Sequence, residues 1–351
     1  MFRRSRAGPV APPTWRNVDL GETLNRNYLH RLPKLVQGIL RAVHHRNELA
    51  ETNIFYARNI DMLFVAATTR WLIGSKALLA YEVLDIQRAF VGSKWNTRLF
   101  RWLERRLLRM SYMLVVSSPD FITEYFLPKQ SYGGRWYLLE NKILPGKMPA
   151  RPRRPNSVPS EPPWVIGWFG ALRCARSLEV LVAIADTLGD GVHIHMRGRP
   201  SERDLPLGWL ENVSRRPNIT YFGSYVSPDD LPEIYSMVHF SWSIDYLDAG
   251  TNSDWLLPNR VYEGGLCGAI ALTRQATATG RFVERTGLGV ALPEPLERSV
   301  VQYLKNLDPE SFRRAHRLVM KAPRSLFIDD EDTAKLLGLL RAKTAGCASG
   351  E

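Results

Sequence analysis

Glu263 stands five residues after Pro258 in the run SDWLLPNRVYEGGLCGAIALT, Ser253 to Thr273. Proline suits the first residue of a helix, where its fixed φ fits and its missing N–H costs nothing. The spacing predicts a short helix from Pro258, punctuated by Gly264, Gly265 and Gly268, and then a buried strand over 269–272. A helix start offers unpaired N–H groups and a positive dipole end, which suits a phosphate. At about 1.5 Å rise per residue, Glu263 lies about 7.5 Å along the axis, where a carboxylate can accept from the two vicinal hydroxyls of a ribose. An ordinary helix–strand unit with a surface glutamate accounts for the same residues, because short motifs also match by chance.

A second candidate lies at 164–188. Trp164 to Phe169 reads as a continuous apolar strand ended by Gly170, and a helix is predicted from Ser177 to Leu188. Glycine at such a turn lets a ligand approach the backbone, and Arg173 and Arg176 stand where they can meet negative charge. The turn is not a GxGxxG. His193 and His195 alternate on a predicted strand over 192–196; with no third ligand in view, packing outweighs metal binding as their role. Ser227 and Asp230 have capping-box spacing before a helix running through Met237, so Asp229 and Asp230 read as caps rather than metal ligands.

The elements around these residues alternate. Strands are predicted over 53–56, 77–84, 111–116 and 137–139, and again over 164–169, 192–196, 219–222, 238–243, 269–272 and 287–292, with helical periodicity between them. Helical periodicity also covers 24–49, through Leu32, Leu35, Val36, Ile39, Leu40 and Val43, while 1–13 reads as disordered. Alternating strands and helices argue for parallel, doubly wound sheets. At 351 residues the chain accommodates two domains, and the stretch PARPRRPNSVPSEPP, with six prolines in fifteen residues, is the predicted connector. No run of 18 apolar residues occurs, no secretory signal is read, and three cysteines without metal or redox spacing fit a reducing cytoplasm.

The net charge of +12 points to an anionic partner. Residues 1–58 hold ten Lys/Arg against four Asp/Glu. A helix predicted over 95–110 places Trp95, Leu99, Trp102, Leu103, Leu107 and Met110 on one face and Lys94, Arg98, Arg101, Arg105 and Arg109 on another. Such a helix suits an anionic membrane surface; a core-packed helix with a solvated arginine face shows the same pattern. No nucleic-acid motif accompanies the charge.

PNRVYEGGLCGAIALT resembles the donor-binding signature of GT-B glycosyltransferases, a P-N-[KR]-x-x-E run followed by small residues, glycine and a buried strand. The resemblance implies that Glu263 binds the nucleotide ribose, that the helix start faces the diphosphate, and that Asn259 and Arg260 sit near the phosphates. GALRCARS is similar to the family 4 diphosphate loop G-R-L-x-x-x-K-G: Gly170 and Leu172 match, Arg176 stands for the lysine, and Ala171 replaces the usual arginine, with Arg173 as its substitute. Tyr225 falls where the family holds the base. The second glutamate common in family 4 is Trp255 here, with Asp254 adjacent but out of register. Over 50–145, YEVLDIQR, MLVVSSPDFITEYF and LLENKI resemble transferases of bacterial exopolysaccharide assembly, including the succinoglycan type. Those enzymes add sugars to a lipid-diphosphate-linked oligosaccharide on the cytoplasmic membrane face.

The implied fold is α/β with two Rossmann-like doubly wound domains, the GT-B architecture: 1–148 on the acceptor side, a linker over 149–163, and 164–340 for the nucleotide sugar. The first domain reads as shortened at its N-terminus, because no Gly-rich strand–loop opens it, and Leu84 stands where relatives often carry a cleft histidine. The implied activity is sugar transfer from a nucleotide sugar, a UDP-sugar in the first instance, to a lipid-linked glycan by a peripheral enzyme on the inner membrane face. No metal, cofactor or nucleic acid is implied. Asp85 is the first candidate base and Glu82 the second; pairing with Arg88 as plain strand-end carboxylates is the alternative. Two other functions fit the same residues: a nucleotide-sugar-binding partner without turnover, and a GT-B-fold sugar-nucleotide epimerase.

Overall fold

The computed structural model describes residues 2–4, 16–23, 28–146 and 159–348, in two units. The first comprises Met1–Ser117, Ile122–Leu139 and Ala334–Glu351; the second comprises Ser118–Phe121 and Glu140–Thr333. Residues 149–158 of the expected linker and 5–13 of the expected disordered segment lie outside the described residues.

In the first unit, β1 (Phe2–Arg4) pairs in parallel with β2 (Gly21–Thr23), so three residues of the segment expected to be disordered form a strand. The main sheet contains β3 (Ile54–Arg58), β4 (Leu78–Val83), β5 (Met113–Val116) and β6 (Trp136–Leu138), all parallel and in chain order. Among the described residues this sheet has no reversal of strand order. β5 is buried throughout, as a strand covered on both faces requires. Ala80, Met113 and Val115 pack with Leu336 and Leu340 of the last helix, Asp332–Ala348.

The one carboxylate inside β4, Glu82, is buried and lies in register with Arg58 of β3, whose Nε donates to it at 2.5 Å. Its ion-pair partner is therefore Arg58 rather than Arg88, and parallel pairing sets that choice. Within the periodic segment 24–49, the described residues from 28 on fold as two helices, Tyr28–His44 and Arg46–Ala50. Of its apolar stripe, Ile39 is buried, while Leu32, Val36 and Leu40 face solvent.

The second unit is built on β7 (Trp164–Leu172), β8 (Val192–Pro200), β9 (Ile219–Tyr221), β10 (Phe240–Trp242), β11 (Ile270–Arg274) and β12 (Gly289–Leu292). All pair in parallel in the order β12-β11-β10-β7-β8-β9. The order reverses between β7 and β10, which makes the sheet doubly wound. Trp164, Ile166, Trp168, Phe240 and Trp242 lie in its core with Leu178, Leu181 and Ile184 of the helix Ala175–Leu188.

Gly170 does not end β7. With φ at +107° it continues the strand, pairing with Gly198, and β7 runs on to Leu172. The expected capping box at Ser227 is also absent. The helix begins at Leu231, with Pro232 in its first turn, and the Asp230 carboxylate instead accepts the N–H of Val226 at 2.8 Å.

Candidate functional site

In an open parallel sheet, ligands bind beyond the carboxyl ends of the strands where their order reverses. Here that place lies past Leu172 of β7 and Trp242 of β10. Arg173 follows β7 at once, half exposed, with Nη2 3.7 Å from Asp245 past the end of β10. Arg176 sits in the first turn of Ala175–Leu188, its guanidinium 3.3 Å from Glu297 and 3.5 Å from Glu179. Long, half-exposed pairs of this kind contribute little to stability, which leaves both cations available to an anion at the helix start.

Pro258 is the cap residue rather than the first helical one: its ψ of 146° is extended, and the helix runs Asn259–Leu266. Asn259 is exposed at the start of that helix. Arg260 donates from Nη1 to the carbonyl of Phe169 at 3.4 Å and from Nη2 to that of Ile244 at 3.2 Å. It thus ties β7 to the loop after β10, while its Nε is buried with no partner among the described residues. One turn on, the half-buried Glu263 carboxylate accepts no hydrogen bond from a described side chain; burial pushes its pKa up to about 7 against the opposing charge of Arg260. Tyr225 joins the group: burial, then the Glu263 charge, raises its phenol well above the ordinary range. Its hydroxyl lies 3.9 Å from where a side chain at Gly170 would begin.

Gly170, Tyr225, Arg260 and Glu263 are therefore brought together from three segments, with Arg173 and Arg176 at the neighbouring helix start. Sequence reasoning missed Tyr235. Its hydroxyl is buried without a partner among the described residues, and its phenol is raised by burial and then by Glu263. Only the packing of Leu231–Ser236 on the sheet reveals it. Asp254 is committed elsewhere, 2.6 Å from Arg274 and accepting the N–H of Gly250 at 2.9 Å.

In the first unit, Asp85 is exposed just past β4 and lines a cleft with Asn59, Tyr81, Gln87, Glu104 and Tyr125. Glu82 is ion-paired with Arg58, and Asp85 is the carboxylate at the end of β4 that lines that cleft. Glu104, the lone acid of the helix Trp95–Met110, was also missed. It is fully buried, accepts from Tyr81 Oη at 2.9 Å, Gln130 Nε2 at 2.5 Å and Tyr125 Oη, and its pKa is raised by burial. An isolated acid in a strongly basic helix was the sequence signal for it.

The same helix buries Thr97, Glu104, Leu107 and Leu108, so of the predicted apolar face only Leu107 is buried, and the alternative of a core-packed apolar face does not hold. Trp95, Leu99 and Trp102 are exposed beside Lys94, Arg98, Arg106 and Arg109. Arg101 and Arg105 are ties to the scaffold: the first donates to the carbonyls of Phe90 and Gly92 at 2.6 and 2.7 Å, the second to those of Gln130 and Lys129 at 3.2 and 2.9 Å. His195 is held neutral, its pKa pushed down to about 4 by burial and then by His193 and Arg197. Among the described residues there is no group of three potential metal ligands and no helix long and apolar enough to cross a membrane.

No family model matches the chain. It is 35% identical over 333 residues to the succinoglycan biosynthesis protein ExoL of Rhizobium meliloti (strain 1021), covering 93% of this chain and 82% of that protein. Among solved structures, Anabaena HepE in complex with UDP and glucose superposes with a TM-score of 0.65 at 15% identity, covering 92% of this chain and 85% of that one. WaaG, a glycosyltransferase involved in lipopolysaccharide biosynthesis, superposes at 0.60 and 12% identity, covering 92% and 90%. This chain belongs to the family of the succinoglycan biosynthesis protein ExoL and has the GT-B glycosyltransferase fold.

Proposed function

We propose that the chain transfers a sugar from a UDP-sugar to a lipid-linked oligosaccharide during cell-surface polysaccharide synthesis. The observation that carries this reading is Glu263: a half-buried carboxylate at the switch point with no hydrogen-bond donor among the described side chains, beside Tyr225 and Arg260. A carboxylate held near neutrality without a donor is poised for hydroxyl donors from a ligand. The HepE complex with UDP supports a uridine nucleotide. In the reaction the bond from the anomeric carbon to the diphosphate oxygen breaks and a bond to the acceptor oxygen forms. Arg173, Arg176 and the helix start meet the charge growing on the departing diphosphate, so no metal ion is needed for that role. Asp85 is the proposed base for the acceptor proton, with Glu82 as its buried, ion-paired neighbour.

Nucleotide release, assayed with a panel of UDP- and GDP-sugars with and without lipid-linked acceptor, tests the activity. Release that depends on acceptor and prefers UDP-sugars is expected. Binding without turnover on any acceptor replaces transfer with a non-catalytic partner role, and sugar conversion without acceptor replaces it with epimerisation.

Two substitutions test the anion site. Arg173→Ala and Arg176→Ala should each weaken UDP binding far more than uridine binding, about tenfold or more, since a charged hydrogen bond contributes roughly 1.5–3 kcal/mol. Equal losses for uridine and UDP in titration calorimetry remove these arginines from the phosphate site.

The exposed Trp95, Leu99 and Trp102 amid Lys94, Arg98, Arg106 and Arg109 support peripheral attachment to an anionic membrane on its cytoplasmic face. The protein should pellet with anionic more than neutral liposomes, and less at high salt, because charge attraction is screened beyond about 8 Å at physiological ionic strength. Equal, salt-insensitive pelleting with both would exclude it.

A further inference from the structure

We infer that Cys174 is a positioning residue of the nucleotide site, resting on the reading of the switch point as that site: its sulfur joins the loop after β7 to the loop after β10 and sets their separation. Cys174 is buried, and Sγ accepts two backbone N–H groups. One comes from Ser177 at 3.3 Å, capping the helix Ala175–Leu188; the other comes from Tyr246 at 3.3 Å, 72 residues away in sequence.

The residues immediately before Cys174 and Tyr246 are Arg173 and Asp245, which face each other across the same gap at 3.7 Å. The sulfur therefore controls the register at which the cation and the carboxylate meet. Tyr246 is fastened on its far side as well: its hydroxyl donates to Glu294 at 2.7 Å, and the Arg274 guanidinium lies 4.5 Å over its ring. Arg260, by donating to the carbonyls of Phe169 and Ile244, also joins β7 to the loop after β10.

Sulfur is a weak acceptor, so strength does not explain its presence; reach does. An N–H···O bond is ordinarily about 2.9–3.0 Å, and the C–O bond is shorter than C–S. A serine oxygen at this position can cap Ser177 but cannot also hold Tyr246 without drawing the loops together. Serine is itself a preferred cap.

The two roles of Cys174 therefore separate by substitution. Cys174→Ser should keep or raise the unfolding midpoint while lowering UDP affinity roughly threefold to tenfold, with uridine affinity changed less. Cys174→Ala should lower both midpoint and affinity. If Cys174→Ser binds UDP as tightly as the parent, the cysteine is only a helix cap and the inference fails. Amide exchange gives a second, ligand-free arm. The Tyr246 N–H should lose protection in both variants, and the Ser177 N–H only in Cys174→Ala. Unchanged Tyr246 protection overturns the inference even if the parent binds no UDP, whereas absent UDP binding with Tyr246 deprotected overturns only the nucleotide-site reading.

Discussion

Glu263→Gln is expected to weaken UDP binding roughly tenfold to a hundredfold, yet to leave the protein more stable than its parent at pH 8. The two effects share one cause. Burial raises the folded-state pKa of Glu263 to about 7 from 4.5. Below pH 4.5 the group is protonated folded and unfolded, and it costs nothing. As pH rises, the unfolded chain releases the proton first, so stability falls across 4.5 to 7 and levels above. At about 1.36 kcal/mol per pKa unit, the full cost approaches about 3 kcal/mol, and glutamine avoids it. Urea unfolding at pH 8 should show the variant ahead by up to that amount, with the difference mostly gone at pH 5.

Ribose hydroxyls donating to the carboxylate favour its charged form, so UDP binding should strengthen from pH 6 to 8 and release a proton. The loss in Glu263→Gln should shrink for 2′,3′-dideoxy-UDP, and the cycle of protein and ligand changes isolates the coupling. If the variant binds UDP as the parent does, or loses as much for the dideoxy ligand, Glu263 does not hold the ribose.

Gly198→Ala is expected to destabilise the second unit by roughly 2–6 kcal/mol, overpacking and backbone strain together, a large share of the 5–15 kcal/mol that holds a typical protein folded. Gly198 has φ at +134°, and a Cβ there would lie 1.8 Å from the carbonyl oxygen of Gly170 on β7. Backbone has to move to admit it, at the strand pair that floors the switch point, and the dihedral is one that only glycine adopts easily. Gly191→Ala is the control, since nothing lies within 4 Å of a Cβ there. Matching urea midpoints for the two variants would show that the β7–β8 contact yields without cost.

The sequence by itself determined the elements and the chemistry carried by single segments. The helix Trp95–Met110 has the bounds its sequence predicts. Pro258, Glu263 and the glycines after them announced a helix start with a carboxylate one turn in, because proline, glycine and apolar runs constrain the backbone locally. What those segments meet across the sheet was decided by the tertiary structure. The family resemblance puts Arg260 near the phosphates, yet two of its nitrogens hold carbonyls from β7 and from the loop after β10. Glu82 pairs with Arg58 because parallel register aligns them. Trp95 and Trp102 face solvent because Glu104, not an apolar residue, turns inward to meet Tyr81, Tyr125 and Gln130. Cys174, one of three cysteines whose spacing suggests neither metal nor redox chemistry, touches Tyr246 because the strand order reverses between β7 and β10. Periodicity records which side of an element is apolar. The identity of the neighbour on that side is a long-range property, set by strand order and register, and it leaves no local mark in the chain.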